Sequence, residues 1–268
     1  MRTSWGSATN RGGREVNEDA LLAYPPVFLV ADGMGGHDAG DLASRIAVEE
    51  FARLAGRPDP TVDDVHGCFG RLAVRLRTEF TGGRQGGTTV AGAALTRLDG
   101  EAYWLVFNVG DSRVFRYADG VLEQVSVDHT VAQELADAGV VAPEQVAAHP
   151  DRHVLTRAMG TGEPPEPDYW LLPVGHRDRL LLATDGLTRE LSADELALVL
   201  ATAADPRLAA AELVEDAVLR GARDNVTVVV VDVSTAPLGL SDDLVRTTPR
   251  GSGLGLGGGL LPTQGGGE

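Results

Sequence analysis

The sequence contains no lysine: all 23 of its basic residues are arginine. That absence removes the P-loop nucleotide site, whose lysine reaches the phosphates, and the protein kinase, whose lysine pairs with ATP. It also removes the Schiff-base chemistry of pyridoxal enzymes and aldolases. A codon usage favouring Arg, Ala and Gly is the plain explanation, in line with 34 glycines among 268 residues, and the exclusions hold whatever the origin. Cysteine is almost as scarce. Cys68 stands alone, so no intrachain disulfide forms and a reducing compartment is expected. A cysteine phosphatase would need an arginine six positions further on, where the chain has Val74. No charged start leads into an apolar run of about 7 to 15 residues, and no stretch reaches the roughly 18 of a membrane helix. The expectation is a cytoplasmic protein with no membrane span. Positive charge is short overall, 23 against 39 acids for a net of −16, so a nucleic-acid backbone is repelled and is not an expected partner.

What the chain does have is buried-strand signals punctuated by acids. Its length suits one large domain or two small ones. Val27 to Ala31 and Leu180 to Thr184 are continuous apolar runs, each stopped by Asp-Gly, at Asp32–Gly33 and Asp185–Gly186. Tyr103 to Val109 ends at Gly110–Asp111, and Val226 to Val233 follows Asp224–Asn225. Further strands are expected at Thr88 to Thr96, Arg113 to Tyr117 and Val121 to Val127. Helical periodicity covers Ala39 to Leu54, Val62 to Phe80, Ala193 to Ala203 and Arg207 to Arg220. Ser192 and Asp205 serve as N-caps, with Pro206 at the first helical position. Strands and helix pairs are segregated, which predicts an α+β fold with helices packed over antiparallel sheets. Residues 135–170, rich in proline, read as an insertion or flap. Residues 235–268, dominated by Gly, Pro, Ser and Thr, are expected to be a disordered tail, leaving 1–234 as the folded domain.

Asp32, Asp111 and Asp185 each follow a buried strand beside a glycine, and Asp224 precedes one. Taken singly, Asp-Gly after a strand is an ordinary turn signal. Taken together, strand ends that converge would gather four carboxylates, which cannot all ionise without a cation among them. Arginine or a divalent metal can supply it. All-oxygen donors suit Mg²⁺ or Mn²⁺, the lack of a Cys/His cluster argues against zinc, and Gly33, with no Cβ, can bring its carbonyl close to an ion. Just upstream, Arg14 offers a planar fork for phosphate and Glu18 a further ligand.

From this point the chain resembles a known family. Arg14-x-x-Asn17-Glu18-Asp19, Asp32-Gly33-Met34-Gly35-Gly36-His37, Gly86-Gly87-Thr88-Thr89 and Gly110-Asp111-Ser112-Arg113 occur in turn. Asp128-His129-Thr130, Leu155 to Gly160, Thr184-Asp185-Gly186 and Asp224-Asn225-Val226-Thr227 follow. The order is that of the metal-dependent type 2C (PPM) protein serine/threonine phosphatases, bacterial branch. Any one of these motifs is weak; eight in order are specific.

The resemblance implies a central sandwich of two antiparallel sheets flanked by helix pairs. It implies a phosphoprotein phosphatase that hydrolyses phosphoserine and phosphothreonine by a metal-activated water and opposes a bacterial Ser/Thr protein kinase. Its partners would be that kinase and other phosphorylated proteins, and the chain is expected to be a monomer. Asp32 would bridge two Mn²⁺ or Mg²⁺ ions, Asp185 and Asp224 completing one site, Glu18 and the Gly33 carbonyl serving the other. Asp111 with Asp185 would hold a possible third ion, and Arg14 would bind the substrate phosphate, making Arg14 and Asp32 the catalytic pair. The sequence departs from eukaryotic members after Asp-Gly, where Met34 replaces a histidine proposed as general acid. His37 is the nearest histidine, and the acid stays unassigned. His149 and His153 are not expected to pair on a metal, because Pro150 breaks the helix their spacing needs. Arg157 is read equally as a phosphate or flap contact and as a structural salt bridge. A catalytically weak family member acting as a binding module is disfavoured, since every expected ligand is present.

Overall fold

The continuous apolar runs are strands buried on both faces. In β3 (Val27–Gly35), Val27, Leu29 and Ala31 enter one apolar cluster while Phe28 and Val30 enter another, the two-residue alternation of a strand with cover on each side. β11 (Val226–Ser234) divides in the same way, Val228 and Val230 to one side, Val229 and Val231 to the other. The computed structural model from which these contacts come describes residues 2–35, 38–83 and 85–234. The tail expected at 235–268 lies outside them, as does His37.

Two antiparallel sheets stack face to face. The first orders β1 (Arg2–Asn10), β11, β10 (Arg177–Ala183), β7 (Arg113–Ala118) and β8 (Val121–Gln124). The second orders β2 (Asp19–Tyr24), β3, β5 (Val90–Leu98), β6 (Glu101–Val109) and β9 (Asp168–Pro173), with β4 (Gly86–Thr88) on the end of β3. Phe28, Trp104, Val106, Leu180, Leu182 and Val229 fill the space between them. Helices α1 (Ala39–Phe51) and α2 (Val62–Glu79) cover the outer face of the second sheet, burying Ile46, Phe51, Phe69 and Leu72 against Leu105 and Phe107. Phe51 stacks on Phe107 at 5.2 Å between ring centroids, and truncating that ring to alanine would cost about 3–5 kcal/mol. Helices α5 (Ala193–Thr202) and α6 (Pro206–Leu219) cover the first sheet through Leu196, Leu200, Leu213 and Ala217. The α+β sandwich with helix pairs outside is therefore the observed fold. No helix among the described residues is long and apolar enough to cross a membrane.

Cap chemistry explains where the helices begin. Thr61 accepts from the Asp64 N–H at 3.1 Å while Asp64 accepts from the Thr61 N–H at 3.0 Å. Asp205 accepts from the Arg207 N–H at 2.8 Å ahead of Pro206, and Glu195 reaches back to the Ser192 N–H at 2.9 Å.

Several expected boundaries change. Asp32–Gly33 does not stop β3, which runs on to Gly35 because Gly33, Met34 and Gly35 pair with Thr88, Gly87 and Gly86. Asp185–Gly186 is not a turn but opens a short helix, α4 (Asp185–Thr188). The strand expected at Thr88 to Thr96 is two, β4 and β5, broken at Thr89, and the one expected to reach Val127 ends at Gln124. The stretch read as a flap begins on the last turn of α3 (Val131–Asp137) and contains a 3₁₀ turn at Pro143–Ala148. Its last residues, including Trp170, belong to β9.

Candidate metal centre

One end of the sandwich collects the acids. Asp32 lies within β3, Asp111 just past β6, Asp185 just past β10, Asp224 just before β11 and Glu18 just before β2. Register does the rest: Asp19 sits directly opposite Asp32. The result is a cavity of about 400 Å³ whose lining includes Arg14, Glu18, Asp32, Gly33, Asp111, Asp185 and Asp224, all seven residues singled out from the sequence.

Hydrogen bonds fix the backbone at Asp32 and around Asp111. The Asp32 N–H donates to Thr89 Oγ1 at 3.0 Å, and that hydroxyl shares a 2.7 Å bond with Ser112 Oγ. The turn before Asp111 uses Gly110 at φ +112°, a conformation glycine tolerates, and is clasped by His129. The Gly110 N–H donates to His129 Nδ1 at 3.2 Å, while the His129 N–H donates to the Gly110 carbonyl at 2.9 Å. Beyond it, Arg113 donates from Nε and Nη2 to the Asp128 carboxylate at 2.6 to 2.9 Å. Gly33 packs so tightly that a Cβ there would lie 2.2 Å from the Gly40 carbonyl oxygen and 2.5 Å from that of Glu18. Only glycine leaves room for the chain to pass.

Mutual repulsion and burial dominate the electrostatics. Burial first, then Asp19, Asp185, Asp111 and Asp224, push the Asp32 carboxyl well above its ordinary range. Burial followed by Asp185 lifts Asp111 to about 8. Burial lifts Asp19 to about 7, and lifts Asp185 to about 6 against the opposing pull of Arg189. Glu18 is raised more gently, burial outweighing the nearby Arg14.

Two guanidiniums answer this charge. Arg14 donates to Asp224 from Nε at 2.9 Å and Nη2 at 3.0 Å. Arg189 donates to Asp224 at 2.7 Å and to Asp185. Oxygens remain uncompensated: Asp19 Oδ1 and Asp185 Oδ1 are buried without any hydrogen-bond partner. A donor set made of carboxylate oxygens, two of them orphaned, fits a hard divalent cation such as Mg²⁺ or Mn²⁺.

Three further residues stand at the site beside those seven. Asp19 takes a hydrogen bond from Thr184 Oγ1 at 2.9 Å, and its signal was its place opposite Asp32 on an edge strand. Arg189 is one turn beyond Asp185, a spacing visible only once α4 is known to be helical. His153 presents a ring nitrogen within 4.8 Å of oxygens of Asp111 and Asp185. It does so without His149, whose Nδ1 accepts from the Asp151 N–H at 3.2 Å. Arg157 forms a 3.0 Å salt bridge with Asp168, the structural alternative. Cys68, on α2, is buried in the core.

The family described as Protein phosphatase 2C matches residues 8–215. The serine/threonine protein phosphatase PstP of Mycobacterium tuberculosis is 36% identical over 225 residues, 82% of this chain and 43% of that protein. The chain thus spans less than half the length of that relative. The PPM Ser-Thr phosphatase MsPP of Mycobacterium smegmatis, solved in complex with cacodylate, superimposes with a TM-score of 0.78 at 36% identity. That match covers 86% of this chain and 98% of the other. The catalytic domain of PstP in complex with two manganese ions superimposes with a TM-score of 0.73 at 30% identity, over 87% of this chain and 99% of that one.

Proposed function

Because the chain belongs to the protein phosphatase 2C family, we propose that it is a metal-dependent protein phosphatase removing phosphate from phosphoserine and phosphothreonine. The observation that carries this reading is the convergence of six carboxylates, Glu18, Asp19, Asp32, Asp111, Asp185 and Asp224, beside the exposed guanidinium of Arg14. Such a cluster attracts divalent cations and, with them, a phosphomonoester dianion.

Asp32, Asp185 and Asp224 would hold one Mn²⁺ or Mg²⁺, and Asp32 with Glu18 and the Gly33 carbonyl a second. Asp111 with Asp185 would hold a third. When bound, these ions supply Lewis acidity toward the phosphoryl oxygens and lower the pKa of water in their shell. The protein's own part is placement. Thr89 and the β3–β4 pairing fix the Asp32 backbone, so its carboxylate points into the cavity without reorganisation. Arg14, half-exposed at the rim, can turn its fork from Asp224 to two phosphoryl oxygens, neutralising charge that builds during in-line displacement. His37, considered for the leaving-group proton, lies outside the described residues. The full setting proposed is a cytoplasmic monomer that reverses the work of a bacterial Ser/Thr protein kinase.

Hydrolysis of p-nitrophenyl phosphate should require Mn²⁺ or Mg²⁺ and vanish with excess EDTA. Activity persisting in EDTA would overturn the metal account. Asp32→Asn, which removes a carboxylate shared by two sites, should lower kcat by several orders of magnitude; a loss under about tenfold, or ~1.4 kcal/mol, would show that Asp32 is misassigned.

A further inference from the structure

A second cavity, of about 340 Å³, opens beside the carboxylate cluster and shares Asp111, Asp185, His153 and Arg189 with it. Three arginines, Arg113, Arg152 and Arg189, line it alongside Asp111, Asp128 and Asp185, in a chain whose net charge is −16. Arg152 reaches it from the segment between the 3₁₀ turn and β9. Its guanidinium donates to a backbone oxygen, the His149 carbonyl, at 3.2 Å, and it has no carboxylate partner among the described residues. Arg113 also lines the space, but its charge is matched by Asp128. Val146 and Ala147 of the 3₁₀ turn supply an apolar side. Arg189 is likewise engaged by Asp185 and Asp224, so Arg152 is the one arginine of this lining without a carboxylate partner among the described residues.

We propose that this cavity is a substrate subsite for an anionic side chain lying within a few residues of the phosphorylated serine or threonine, with Arg152 as its specificity-determining residue. The inference rests on the phosphatase reading and deepens it. The shared chemistry is a carboxylate or phosphate on a neighbouring residue, and Arg152 meets either by charge-assisted hydrogen bonds. Because Arg152 touches none of the proposed metal ligands, its contribution belongs to KM and is absent for a substrate with no peptide.

The test is a set of phosphothreonine peptides with alanine flanks, carrying Glu, or a second phosphothreonine, at each of three positions on either side. At one or more positions the anionic residue should lower KM about fivefold relative to alanine with kcat little changed, the scale of a partly exposed ion pair. Preference for Glu identifies a carboxylate as the occupant, and preference confined to the second phosphothreonine identifies a phosphate. Arg152→Glu should erase that preference and leave kcat/KM for p-nitrophenyl phosphate unchanged. Equal KM for alanine and anionic peptides at every position, or a preference that survives Arg152→Glu, would overturn the subsite. So would a fall in p-nitrophenyl phosphate turnover in Arg152→Glu, which would place Arg152 in the chemistry. Fluorescence polarisation with non-hydrolysable phosphonate versions of the same peptides gives the same comparison as binding. It decides the subsite even if no hydrolysis is found, an outcome that would count only against the phosphatase reading.

Discussion

Glu18 and Asn225, 207 residues apart in the chain, are joined by the Glu18 N–H donating to Asn225 Oδ1 at 2.8 Å. The other end of the same amide donates to the Arg11 carbonyl at 2.9 Å and the Val16 carbonyl at 3.0 Å. One side chain thus satisfies three backbone groups of the loop that carries Arg14 and Glu18, while its own backbone follows Asp224. Asn225→Ala strands those groups and should cost about 1–3 kcal/mol of stability. Because the loop loses its register against β11, kcat/KM for p-nitrophenyl phosphate should fall more than tenfold. Asn225→Asp keeps the acceptor and loses both donors, so it should not rescue. Thermal melts and steady-state kinetics check both variants, and a native-like Asn225→Ala would show that the loop is held by other contacts.

The parts legible in the sequence share a physical cause. Asp32, Asp111, Asp185 and Asp224 were visible because each adjoins a strand buried on both faces, so an acid at the end of a run of four or more apolar residues stands out. The layered fold followed from the segregation of strands and helices. Less legible was β1, Arg-Thr-Ser-Trp-Gly-Ser-Ala-Thr-Asn, which buries only Gly6 fully and owes its existence to pairing with β11 some two hundred residues away. Edge strands β2 and β9 were hidden for the same reason. Asp19 became apparent only through the register that sets it opposite Asp32. Arg189 required knowing that Asp185 opens a helix, which no local turn rule suggests.

Stability should respond to pH and metal together. Asp185, Asp19 and Asp111 titrate in the folded chain near 6, 7 and 8, and Asp32 is also raised, whereas unfolded carboxyls titrate near 4. The ion-free folded state therefore retains protons that the unfolded state has released. Stability from these groups is complete below about pH 4 and is lost as pH rises through 6 to 8. His129 and His153, with pKa values lowered by burial, act in the opposite direction, but only up to their ordinary value of 6.5. In EDTA, Tm should accordingly fall between about pH 6.5 and 8. Added Mn²⁺ displaces those protons, so it should raise Tm more at the upper end of that window than at pH 5.5. Scanning fluorimetry across pH with and without metal measures this, and an ion-free Tm that rises toward pH 8 would contradict the carboxylate shifts.

Arg14 and Asp32 separate binding from chemistry. Arg14 is about half exposed, at 55%, and its contact is to Asp224, so the fork is free to turn toward a phosphate without breaking any buried core contact. Arg14→Ala should raise KM for phosphopeptides about tenfold or more, the loss of a charge-assisted bidentate pair, with a smaller effect on kcat. Arg14→Lys restores the charge but not the planar fork, and should recover only part of that loss. The stability cost of either change is expected to be small, because the guanidinium is screened by solvent and makes no buried contact. Steady-state kinetics on a phosphothreonine peptide distinguish the cases: an unchanged KM in Arg14→Ala would remove Arg14 from phosphate binding. A loss confined to kcat would mean instead that the guanidinium acts only as the transition state forms.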